Sequence, residues 1–133
     1  MNQLIIDTST YSAFRRGDIL VEPYFTSIHE ILVPTIVLGE LRAGFCSGRY
    51  QVENERLLQE FLDLSNVSII NIQDSTTIEF GKLYKELKVL GKPIGQDDLW
   101  IASLVSEYKV PLLTLDKDFQ NIKNIEIIPM GKL

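Results

Sequence analysis

Cysteine, histidine, long apolar runs and positive charge are all scarce in this chain, and each scarcity closes off a class of function. The single cysteine, Cys46, rules out an internal disulfide and fits a reducing compartment. With no second thiol near Gly44-Phe45-Cys46, it is expected to be a small buried side chain rather than a nucleophile or ligand. The single histidine, His29, excludes the histidine acid–base pair on which metal-free phosphodiester cleavage usually relies. It is read as a loop residue. No stretch approaches the about 20 apolar residues of a membrane span. The N-terminus has neither the basic region nor the long apolar run of a signal peptide, so the cytoplasm is the expected location and no membrane partner is expected. Positive charge is short as well, with 13 Lys and Arg against 18 Asp and Glu, a net charge of −5. A protein that holds nucleic acid by neutralising phosphates is usually basic. The balance therefore argues against nucleic acid unless some of the acids are matched by bound cations.

What remains is an ordinary globular composition. The 133 residues are 45% apolar and 23% charged, enough for one domain with a real core; residues 1–133 are read as a single unit. Leu4-Ile5-Ile6 has the look of a buried strand, and it stops on Asp7-Thr8-Ser9. A helix from Thr8 to Arg16 ends at Gly17, and a second, uncertain at its start because of Pro23, runs over Ile19–Ile28. Ile31-Leu32-Val33 is a strand stopped by Pro34, and Thr35 opens a helix to about Cys46. On that helix Glu40 shares the apolar stripe of Ile36, Val37, Leu41 and Gly44. Burying an unpaired carboxylate is costly, so Glu40 needs a bound cation, Arg42 or another basic group. An amphipathic helix over Asn54–Leu64, a strand over Val67–Ile72 and a long helix over Ser75–Leu90 follow. The last turns Ile78, Leu83, Leu87 and Leu90 toward the core, and carries Lys82, Lys85, Lys88 and Lys92 within an arc of about 120°. A buried helix begins at Gln96-Asp97-Asp98, with Trp100 read as core. Pro111–Leu115 is a strand, Asp116-Lys117-Asp118 stands at its end, and Ile125–Ile128 is a last short strand.

Strands alternating with helices imply right-handed crossovers and an α/β fold, a mostly parallel sheet of four or five strands with helices on both faces. In such sheets ligands bind beyond the C-terminal ends of the strands. Asp7 and Asp116 each follow a strand directly, while Glu40 and Asp98 lie in the early turns of helices. Each has a modest explanation by itself. Asp7 can cap a helix, Asp116 can shape an Asx turn, and Asp98 can answer a helix dipole. All four can nonetheless converge on one sheet edge. Carboxylates without histidine or thiolate make a hard oxygen site suited to Mg²⁺ or Mn²⁺, and such ions serve phosphodiester chemistry.

The chain resembles the PIN-domain ribonucleases, specifically the VapC toxins of toxin–antitoxin pairs. The matching pieces are Ile5-Ile6-Asp7-Thr8-Ser9, Leu38-Gly39-Glu40-Leu41-Arg42-Ala43-Gly44, Pro93-Ile94-Gly95-Gln96-Asp97-Asp98-Leu99-Trp100-Ile101-Ala102 and Leu113-Thr114-Leu115-Asp116-Lys117-Asp118-Phe119. The resemblance implies a three-layer α/β/α PIN-like fold and a Mg²⁺- or Mn²⁺-dependent endoribonuclease. It places the metal-binding and catalytic acids on Asp7, Glu40, Asp98 and Asp116, with Ser9, Asp97 and Asp118 in support. It also implies RNA as substrate, 5′-phosphate and 3′-hydroxyl products, a homodimer, and a small VapB-like antitoxin that masks the site. Three alternatives stay open at this point: a housekeeping RNA-processing PIN nuclease, a Mg²⁺-binding receiver of the flavodoxin-like kind, and a PIN fold kept as a binding module. The receiver requires an Asp after the third strand, where this chain has Asn71-Ile72-Gln73.

Overall fold

The computed structural model describes residues 2–27 and 30–128. His29 and Ile28 lie outside the described residues. The order of elements is β1 (Gln3–Ile6), α1 (Thr8–Arg15), α2 (Glu22–Ser27), β2 (Glu30–Pro34), α3 (Thr35–Cys46), α4 (Gln51–Leu62), β3 (Val67–Ile70), α5 (Asp74–Leu90), α6 (Gln96–Tyr108), β4 (Leu112–Leu113), a 3-10 helix (Lys117–Asn121) and β5 (Ile127–Ile128). The five strands form one sheet in the order β3-β2-β1-β4-β5, and every pairing is parallel. Chain order proceeds outward from β1 through β2 to β3, then returns across the sheet to β4. Right-handed crossovers in opposite directions put α1–α4 on one face and α5–α6 on the other. The parallel α/β architecture agrees with the reading of the sequence. Its strand order also differs from the 2-1-3-4-5 of flavodoxin-like receivers, which sets that alternative aside.

The strands are short because apolar residues supply them in short runs. Leu4, Ile5 and Ile6, with Ile31, Leu32 and Val33, are buried on both faces, as a covered parallel sheet demands. Among the described residues the last two strands of the chain are shorter than their apolar runs: β4 pairs only at Leu112 and Leu113, and β5 only at Ile127 and Ile128. Helix α2 begins at Glu22, later than expected, because Pro23 has no N–H to donate and is tolerated only in a first turn. Gly91, at φ 65°, closes α5; the Lys92 N–H reaches the Leu87 carbonyl at 3.0 Å, so the chain turns sharply toward α6. Lys92 thus lies beyond the helix that carries the other three lysines.

Two expectations about burial fail. Cys46 is exposed, at the last residue of α3. Ile78 and Leu90 are 58% and 45% exposed while Leu83 and Leu87 are buried. Ile78 stands five residues before Leu83, about 140° around the axis, and Leu90 is in the final turn. Helices α5 and α6 run antiparallel, fastened where Ser75 and Thr76 donate to Glu107 and Ser106 donates to Glu79. Trp100 is half-buried against Phe80, with ring centroids 4.0 Å apart. No helix among the described residues is long and apolar enough to cross a membrane.

Phe119 is wholly buried in the 3-10 helix that follows β4. It is the peg that ties Asp116 and Asp118 to the core. Phe119→Ala is expected to cost about 3–5 kcal/mol in urea unfolding. A loss below about 1 kcal/mol would show that the turn is held by its hydrogen bonds alone.

Candidate active site

In a doubly wound sheet the crevice lies where strand order reverses, here between β1 and β4. Asp7 ends β1 at that crevice, only 4% exposed. Its Oδ1 accepts from the Ser9 hydroxyl at 2.7 Å and the Thr10 N–H at 3.0 Å. Its Oδ2 accepts from the Thr114 hydroxyl at 2.5 Å. The capping role and a place in the site are therefore not alternatives. Asp7 caps α1 through one oxygen while the other faces the strand next door.

Two hydroxyls stitch the crevice together. Ser9 accepts from the Leu115 N–H at 3.1 Å, and Thr114 accepts from the Asp116 N–H at 2.9 Å. Each thus holds Asp7 with its proton and the chain after β4 with its lone pair. Asp116 caps the 3-10 helix, accepting from the Asp118 N–H at 2.9 Å, so the expected Asx turn is present too. It positions the carboxylates. Asp98, Asp116 and Asp118 each offer an oxygen within 4.8 Å of the others. The structure therefore brings Asp118, expected only in support, into contact range with Asp98 and Asp116.

Asp7 and Glu40 lie outside that tight group, but their charge reaches it. Burial first, then the negative charge of Asp116, Glu40, Asp7 and Asp118, pushes the Asp98 carboxyl up to about 6. Glu40 is also raised, chiefly by burial, against the lowering effect of the Thr8 hydroxyl that donates to it at 2.7 Å. Asp97 and Asp7 raise it further. Arg42 does not relieve Glu40. It makes a bidentate pair with Glu55 of α4, at 3.0 and 2.9 Å, and holds that carboxyl down to about 2. Asp97 is exposed, on the Glu40 side of α6, outside the group formed by Asp98. No Lys, Arg or His makes an ion pair with any of these site acids among the described residues.

A crevice of carboxylate oxygens thus sits at the switch point of a parallel 3-2-1-4-5 sheet. A model of the PIN domain matches residues 4–125. The chain belongs to the PIN-domain family. Within it the chain is VapC-like. It is 34% identical over 96 residues to ribonuclease VapC2 of Rickettsia felis, 71% of this chain and 70% of that one. It is 30% identical to a ribonuclease VapC of Rickettsia bellii, covering 94% of each. Its fold matches the crystal structure of VapBC2 from Rickettsia felis bound to a promoter DNA fragment, at a TM-score of 0.87 and 26% identity, covering 97% of this chain and 99% of that one. A VapBC-5 complex from Mycobacterium tuberculosis shares the fold at a TM-score of 0.77 and 21% identity, covering 96% and 98%.

Thr8 and Thr114 escaped the reading of the PIN motifs. Nothing in local spacing marks them, because each acts across a gap of 32 or 107 residues. The only available signal was a hydroxyl residue beside a strand-end acid. Thr114→Val removes a donor to buried Asp7 and strands the Asp116 N–H. It is expected to cost about 1–3 kcal/mol in urea unfolding, with Thr114→Ser recovering most of it.

The crowding at Asp98 sets a pH dependence. Between its ordinary value of 3.8 and its folded value of about 6, the folded chain binds more protons at this group than the unfolded chain does. Stability of the metal-free protein from this source is therefore greatest at low pH and falls as pH rises through that window. Asp98→Asn is expected to raise stability in EDTA at pH 7.5 by about 1 kcal/mol after allowing for solvent screening, and by little at pH 4. Thermal melts across that range check it, and an equal effect at both pH values would contradict it.

Proposed function

We propose that this chain is an endoribonuclease dependent on Mg²⁺ or Mn²⁺, and the toxin half of a VapC-type toxin–antitoxin pair. The observation that carries this reading is the group Asp98, Asp116 and Asp118 at the sheet switch point, with Asp7 and Glu40 near enough to act on Asp98 and no ion pair to any of them among the described residues. The donor set is all carboxylate, which fits a hard, oxygen-seeking cation and not zinc. Asp7, Asp98 and Asp116 would hold it, with Asp118 beside them and Glu40 directly or through water. When bound, such an ion neutralises phosphate oxygens and lowers the pKa of water.

The remaining work belongs to the chain. Asp7 is fixed by three donors, so its geometry costs nothing further at the moment of reaction. Glu40, raised by burial and steadied by Thr8, is suited to orient an attacking water and receive its proton. Relatives that are named ribonucleases support RNA as substrate. Solved VapBC complexes support a small antitoxin as partner, with basic and apolar side chains that answer the acidic crevice, and the homodimer is part of the same proposal.

The test compares adjacent acids. Purified protein is expected to cleave RNA with Mn²⁺ and to stop in EDTA. Asp98→Asn should lower cleavage by about 100-fold or more and erase the Mn²⁺-induced rise in melting temperature. Asp97→Asn should keep most of both. Cleavage that persists in EDTA, or the reverse pattern between the two variants, would sink the assignment.

A further inference from the structure

A groove of about 370 Å³ lies between the last turns of α5 and the start of α6. Tyr84, Leu87 and Lys88 form one wall, and Pro93, Ile94 and Leu99 the other. On a helix with about 100° per residue, Phe80, Tyr84, Leu87 and Lys88 make a single stripe, so the wall is a property of one α5 face. Phe80 and Tyr84 are near-parallel, with 15° between ring planes and centroids 6.5 Å apart, and Trp100 backs Phe80. Tyr84, 54% exposed, is the most accessible ring of this row.

Positive charge borders it: Lys88 lines the groove, and Lys92 stands between Gly91 and Pro93, which line it too. Lys82, Lys85, Lys88 and Lys92 fall within eleven residues of a chain whose net charge is −5. Lys82 pairs with Glu79 at 3.6 Å. Among the described residues Lys85, Lys88 and Lys92 make no ion pair. A polyanion gains from the same lysines, and the aromatic row offers its bases a surface.

The groove also stands beside the chemistry. Leu99 faces it, while Asp98, the preceding residue, faces Asp116 and Asp118. A strand whose scissile phosphate lies at the acids reaches the groove by crossing the N-terminal end of α6. Resting on the ribonuclease reading above, we propose that this groove is a subsite for single-stranded RNA next to the cleavage site. An unpaired base lies in the apolar cleft against Tyr84, and Lys88 and Lys92 neutralise the flanking phosphates. Stacking on aromatic rings beside a lysine track is how single strands are held with little sequence preference. Choice of RNA would then depend partly on an unpaired base at a set distance from the cut.

The test uses the full chain and a fluorescein-labelled, unstructured RNA of about 20 nucleotides. Binding is followed by anisotropy in EDTA, with intact label verified on a gel. Lys88→Gln/Lys92→Gln is expected to weaken binding about tenfold and to flatten the slope of log K against log salt by about 1.4, roughly 0.7 per phosphate contact on a single strand. Tyr84→Ala should weaken binding about fivefold or more without changing that slope. In Mn²⁺ both variants should raise KM for the same RNA and leave kcat within about twofold. All three substituted forms, with Lys85→Gln as the third, should melt within about 2 °C of the parent, since these are surface changes. Wild-type cleavage with variants that bind and cleave equally well overturns the groove and leaves the ribonuclease reading intact. Binding that weakens as expected in a protein that cuts no RNA supports the groove and defeats the ribonuclease reading. Unchanged RNA binding with a shift from dimer to monomer in light scattering overturns the groove as an RNA subsite and makes it a self-association face.

Discussion

A carboxylate that is 4% exposed and has no cationic partner among the described residues is the constraint the rest of this structure answers to. Asp7 is tolerable because three donors surround it, one backbone N–H and two hydroxyls. A buried charge without such partners would cost several kcal/mol, on the order of a whole domain's net stability. The donors come from both sides of the β1–β4 crevice. Moving either strand by one residue would strip Asp7 of its support, since a slip of one reverses every side chain. The local sheet register and the acidic crevice are therefore one arrangement, held by the same hydroxyls.

Crowding of acids runs against the stability of the folded chain, and the structure accepts it locally. Asp98 bears most of the strain, with four acids acting on it besides its own burial. Arg42 might have relieved Glu40 and instead closes α3 onto α4 through Glu55. Among the described residues, basic groups are paired elsewhere: Arg56 with Glu53 and Glu60 along α4, and Lys82 with Glu79 on α5. A PIN-domain crevice left negative by its own side chains is prepared for cations supplied from outside, whether metal ions or the basic groups of a partner.

Much of the architecture could be read from short signals. Ile5-Ile6-Asp7 and Leu113-Thr114-Leu115-Asp116 each show an apolar run ending on an acid, and parallel pairing follows from the helices between strands. Burial along a helix depends instead on contacts between distant elements. Ile78 looked like core because leucines recur nearby, yet the face of α5 is set by α6 lying against Leu83 and Leu87. Cys46, a small side chain expected to be buried, is exposed at the end of α3. Asp118, expected to support Asp116, is carried by the 3-10 turn to within 4.8 Å of Asp98 and Asp116.

The sequence alone determined the strand–helix alternation, the carboxylates at strand ends and helix starts, and the lack of histidine or thiol chemistry, because these are local patterns of period, cap and residue type. It also carried the PIN motifs. Only the tertiary structure decided that Thr8 and Thr114 hold Glu40 and Asp7, that Arg42 is spent on Glu55, and that Asp98, Asp116 and Asp118 come within 4.8 Å of one another. Those facts depend on which of several equivalent partners lies opposite across the sheet. Hydrogen bonds and Coulomb fields act over a few ångströms of space, and residues as far apart as 7 and 114 become neighbours only when β1 and β4 pair.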